Sequence, residues 1–67
     1  MLGALIKNYL DERGIKYSFV ANEAGISNNV FSAMLSVKRK IVAEEFIRIC
    51  FVMDIDTSYF AEKLKTA

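Results

Sequence analysis

Leu2, Leu5, Ile6, Tyr9 and Leu10 recur at three- and four-residue intervals, the spacing that gathers side chains on one side of an α-helix; strand alternation is absent. Gly14 marks the end of this first helix. A second, short helix is expected over residues 17–24, with Val20, Ala21 and Ala24 inward and Gly25 supplying the positive φ past its end. Ser27 is placed to cap a third helix by accepting from amides two or three residues on, with Phe31 and Met34 as its inward face. After the polar link Lys38-Arg39-Lys40, the positions Phe46, Ile47, Ile49, Cys50 and Met53 define a fourth amphipathic helix, with Glu44 and Glu45 in its first turn where the helix dipole favours negative charge. A fifth helix is expected to start at Asp56 or Thr57 and to run through Phe60 and Leu64. The expectation is an all-α protein, five short helices around one core, in a single domain over residues 1–67.

Composition narrows the means of stabilising and using such a core. At 67 residues a domain buries only about 60% of the surface its unfolded chain exposes, which leaves little room for an enzymatic cleft. One cysteine and no histidine provide neither an internal disulfide nor a ligand set for structural zinc, so no metal and no cofactor are expected. Cys50, between Ile49 and Phe51, reads as a reduced, buried small residue, which fits a cytoplasmic setting. The opening residues form no apolar stretch long enough for a signal peptide, and the run Ile49 to Met53 is far short of the ~20 residues of a membrane span. No membrane association is expected.

The net charge of +1 hides a division: residues 1–40 carry +3 and residues 41–67 carry −2. The positive half holds Lys7, Arg13, Lys16, Lys38, Arg39 and Lys40. In the same half, a helix, a tight turn containing Gly25 and a second helix opening with small polar residues form a layout that projects the N-terminal residues of one helix outward.

Over residues 4–60 the chain resembles the Cro/C1-type helix-turn-helix family of phage and bacterial repressors. The resemblance lies in Gly14-Ile15, Val20-Ala21, Ala24-Gly25-Ile26-Ser27, Phe31-Ser32 and Lys38-Arg39-Lys40. It implies a five-helix, lambda-repressor-like domain that binds a pseudo-palindromic double-stranded DNA operator as a homodimer. The family's base-reading positions fall on Asn28, Asn29, Ser32 and Ala33, of which Ala33 offers only a methyl contact. Its phosphate contacts fall on Tyr17, Ser27, Lys38, Arg39 and Lys40, with Lys16 and Ser36 as weaker candidates. An asparagine amide matches the N6 and N7 edge of adenine. The plainer alternative is that Asn28 and Asn29 only solvate a helix start, and that the basic triplet is a solvated loop.

The chain departs from this family in several places. Leu10 and Leu35 stand where the family pairs an arginine with a glutamate, a joint replacement compatible with an intact core. Tyr17 replaces the glutamine at the start of the second helix, Lys16 the cap before it, and Ile41 the proline before the fourth helix. Val37 replaces a glycine; because a β-branched residue resists positive φ, the third helix is expected to run on into the basic link.

Phe19, Phe51, Val52, Ile55 and Tyr59 exceed what the inward faces require. A dimer contact through Phe51, Ile55 and Tyr59 is expected, with Ile55 also available to complete the core. Two functions follow as candidates: a small DNA-binding regulator, acting as a repressor, and a protein-interaction module on the same fold that binds a partner in the manner of an inhibitor or antitoxin. An enzyme is not expected, since the chain lacks a histidine, a glycine-rich phosphate loop and a base beside Cys50, and no small-molecule substrate is evident.

Overall fold

The computed structural model describes residues 2–66, apart from the side chain of Thr66; the ends of the domain expected over 1–67, Met1 and Ala67, lie outside the described residues. It contains α1 (Leu2–Arg13), α2 (Tyr17–Glu23), α3 (Asn28–Leu35), α4 (Ala43–Val52) and α5 (Ser58–Thr66). Among the described residues there is no strand. The α-carbons occupy 30 × 24 × 23 Å.

On α1 the apolar spacing puts Ile6, Tyr9 and Leu10 in the core, with Leu2 and Leu5 at its margin. Gly3 is buried as well, and a methyl group there would overlap the backbone carbonyl of Met34, so α1 crosses α3 closely at its first turn. Val20, Ala21 and Ala24 from α2, Phe31, Met34 and Leu35 from α3, Ile49 and Cys50 from α4 and Phe60 from α5 complete the buried set. Leu10 and Leu35 are both buried and join the core through apolar packing. Tyr9, Tyr59 and Phe60 meet edge to face at 5.1–5.7 Å between centroids and join α5 to α1.

Four helices stop in the same way. After α1, α2, α3 and α4 the chain places Gly14, Gly25, Val37 and Asp54 in the left-handed region, at φ of 65°, 71°, 62° and 56°. Each donates its amide to the carbonyl three residues back, and the next residue donates five residues back: Ile15 to Leu10, Ile26 to Ala21, Lys38 to Ala33 and Ile55 to Cys50, at 2.8–3.1 Å. This is the Schellman closure, in which two carbonyls left over at a helix end are satisfied. At three of the four stops the second donor is an isoleucine, whose side chain turns back onto the core as buried Ile26 or half-buried Ile15 and Ile55.

Two expectations are corrected. Val37 does not prolong α3 into the basic link; it adopts the left-handed conformation that a β-branched residue disfavours, because the two closing hydrogen bonds and the path to α4 require it. Ile47 does not face the core. It is 57% exposed, since the inward arc of α4 is filled by Ile49, Cys50 and half-buried Phe46 and the position after Phe46 rotates beyond it.

Candidate nucleic-acid interface

The side chain of Ser27 sits just ahead of α3 and accepts from the Val30 amide at 3.3 Å, so the expected cap is formed. From that start, α3 divides its circumference cleanly. Val30, Phe31, Met34 and Leu35 face inward, while Asn28, Asn29, Ser32 and Ser36 are exposed and Ala33 is half-buried. At 100° per residue the outward five span an arc of about 140°, wide enough for one face of a helix to meet a groove. The expected base-reading residues, Asn28, Asn29, Ser32 and Ala33, are thus brought together on a single face.

The segment that carries this arc holds no carboxylate. No acidic residue occurs between Glu23 and Glu44. An open groove of about 510 Å³ runs beside the start of α3, lined by Ser18, Phe19 and Asn22 of α2 and by Ile26, Ser27 and Asn28. A second, of about 460 Å³, lies at the other end of α3 between the first residues of α1 and the link from Val37 to Ile41.

The expected phosphate contacts separate into free and engaged groups. Lys16, Lys38 and Lys40 are exposed. Arg39 is held within the molecule: its guanidinium lies 3.0 Å from Glu45 Oε1, which also accepts from the Val42 amide at 3.1 Å ahead of α4. The Arg39 guanidinium, together with that backbone amide, keeps the Glu45 carboxyl below its ordinary value despite some desolvation. The hydroxyl of Ser36 donates to the Ser32 carbonyl at 2.6 Å. Tyr17 opens α2 but donates its hydroxyl to Asp11 on α1, whose other oxygen accepts from Lys7 Nζ at 3.0 Å. Those two donors hold Asp11 below the ordinary carboxylate range, and the same hydrogen bond pushes the Tyr17 phenol up. Nothing local in the sequence signals this link, because it depends on how α1 and α2 cross.

The expected contact surface also separates. Phe51 is 85% exposed, and Ile47, one turn earlier on α4, stands out beside it. Ile55 is half-buried at the α4 stop, and Tyr59 is half-buried against Tyr9 and Phe60 with the Lys63 ammonium 5.1 Å from its ring centre. Phe51 is therefore the one residue of the expected three that stands clear of the core.

No family model matches the chain, and comparison with curated proteins and with solved structures finds no match. Among the described residues no helix is long and apolar enough to cross a membrane, and no cluster of His, Cys, Asp and Glu has metal-binding geometry.

Proposed function

We propose that this chain is a small helix-turn-helix regulator that reads double-stranded DNA with α3 in the major groove, in the manner of the Cro/C1-type repressors it resembles. The observation that carries the reading is the outward arc of α3: two asparagines, two serines and an alanine, free of acidic side chains and flanked by the exposed Lys38 and Lys40. A stable core needs none of these polar groups on one face, whereas a groove-reading helix needs short hydrogen-bonding side chains there. Asn28 and Asn29 are assigned the base contacts, supported by Ser32 and by the methyl of Ala33. Lys38 and Lys40 are assigned the phosphates, which fix register without reading sequence. Arg39 contributes by holding the link to α4 through Glu45.

Selection of bound sequences from random duplex DNA tests this reading. The expected outcome is a pseudo-palindromic site read by two copies. Asn28→Ala or Asn29→Ala relaxes base preference at one position per half-site, a loss of roughly 1–3 kcal/mol of discrimination. Lys38→Ala or Lys40→Ala weakens binding to all sequences alike and flattens the salt dependence. Unaltered site preference in both asparagine variants removes the base-reading assignment.

The exposure of Phe51 and Ile47 favours a second reading, in which the same fold binds a protein partner. Absence of any binding to random duplex at low salt selects it.

A further inference from the structure

Asp11, Lys7 and Tyr17 form a unit that the proposed function does not use. The three side chains come from two helices: Lys7 and Asp11 lie one turn apart on α1, and Tyr17 is the first residue of α2. Asp11 receives the Tyr17 hydroxyl on one oxygen and the Lys7 ammonium, at 3.0 Å, on the other. None of this is buried away from solvent; the Lys7 and Asp11 side chains are about half exposed. A carboxylate that accepts from a phenol and an ammonium with two oxygens presents what a backbone phosphate would present with two of its own.

We infer that Asp11 is an internal stand-in for a DNA phosphate, masking Tyr17 and Lys7 in the free protein and weakening binding to every sequence. The inference rests on the proposed DNA reading, under which the start of α2 borders the duplex. On binding, a phosphate competes with Asp11 for both donors. Asp11 thereby sets the strength of non-specific attachment without touching a base. Lys7 becomes a phosphate contact that its position on α1, outside the turn motif, would not suggest. Tyr17 keeps a phosphate role although its hydroxyl is engaged in the free molecule.

The test uses the full chain, a fluorescent random-sequence duplex and a salt series. Asp11→Asn removes the charge that holds Lys7 and leaves the Tyr17 hydroxyl only a neutral acceptor, which a phosphate displaces more readily. Binding is expected to tighten roughly three- to tenfold. The slope of log affinity against log salt is expected to steepen by about one, because Lys7 is no longer neutralised from within. In a Lys7→Ala, Tyr17→Phe background the same Asp11→Asn change is expected to give little gain, since no masked donor remains. Circular dichroism checks that each variant is folded. A folded Asp11→Asn protein with unchanged or weaker binding overturns the inference, as does an equal gain in the Lys7→Ala, Tyr17→Phe background, which would make Asp11 a diffuse charge and not a mask. If the wild-type chain and all variants fail to bind the duplex at low salt, the DNA reading itself falls. Wild-type binding without the expected response to Asp11→Asn removes only the mask.

Discussion

Val37 is the residue whose local preference and observed conformation disagree most. A β-branched side chain in the left-handed region costs on the order of 1–2 kcal/mol, and the half-exposed Val37 recovers little of that by burial. Val37→Gly is therefore expected to raise stability by about 1 kcal/mol and the melting temperature by roughly 4–8 °C, read by thermal denaturation. An unchanged or lowered melting temperature would show that the valine side chain contributes packing that outweighs its strain. Gly3 is the opposite case. Alanine is the better helix former by about 1 kcal/mol, but a methyl group at Gly3 meets the Met34 carbonyl, a backbone group with no rotamer to escape into. Pushing α1 off α3 costs typically 1–3 kcal/mol, so Gly3→Ala is expected to lower stability despite the gain in propensity, as a denaturant melt at constant slope would register. Neither residue announces its role in sequence. The left-handed stops at Gly14 and Gly25 were legible because glycine advertises them; Val37 was not, because the closing hydrogen bonds from its own amide and that of Lys38 override its side chain's preference.

At the level of helices, the pattern of apolar positions gave the number, order and buried faces of the elements, since period and caps are local properties that survive any arrangement in space. What it did not give were the joints. Ile47 falls on the edge of a broad apolar arc, and periodicity alone cannot say how much of that arc the neighbouring helices cover. Three acidic residues hold joints or helix starts: Asp11 links α1 to α2, Glu45 closes back on the start of α4, and Asp56 accepts from the Ser58 amide at 2.9 Å ahead of α5. All three are held below their ordinary values, chiefly by the hydrogen bonds from Tyr17, Arg39 and Ser58 respectively. A carboxyl whose folded value is depressed binds fewer protons than in the unfolded chain, so its contribution is present above the unfolded value and is lost as pH falls through the folded one. On the alkaline side burial pushes the Cys50 thiol up, and Asp11 raises Lys7 and Tyr17. Those contributions are complete below the ordinary thiol, ammonium and phenol values and disappear as pH rises through the raised ones. With no histidine in the chain, stability is expected to be flat from about pH 5 to about pH 8. It falls on either side, first through the three carboxylates in acid and first through Cys50 in alkali. Urea melts across this range check it, and Cys50→Ala should move the onset of the alkaline decline upward; a marked slope between pH 5 and 8 would contradict the assignment.

For the molecule as a whole, the arrangement of α3 and α4 bears on whether one copy suffices. α3 packs on α1 and α2, while α4 packs mainly on α2, so α2 lies between the proposed reading helix and the helix that displays Phe51. Two copies meeting through α4 would carry their α3 helices away from the contact, with α2 between. That is the sense needed to reach the 34–36 Å that separates half-sites one turn apart. A two-fold contact uses the same patch twice, so residues on α4 face themselves or each other across the axis. With Phe51 near the axis, Ile47, one turn earlier on α4, extends the exposed apolar patch that each copy offers the other. Tyr59 adds little, because Tyr9, Phe60 and Lys63 already cover its ring. Burying one phenyl ring contributes about 1.5–3 kcal/mol, and the symmetric contact does so twice, which corresponds to a change of roughly two to four orders of magnitude in the dimer dissociation constant. Sedimentation equilibrium is therefore expected to show a dimer at tens of micromolar for the wild-type chain and a monomer of unchanged helicity for Phe51→Glu. Phe51→Glu should then bind a single half-site with nearly wild-type affinity while losing the steep preference for two correctly spaced half-sites. A Phe51→Glu protein that remains dimeric would move the contact away from α4, and one that is monomeric yet keeps the spacing preference would mean that the two copies assemble on the DNA through another face.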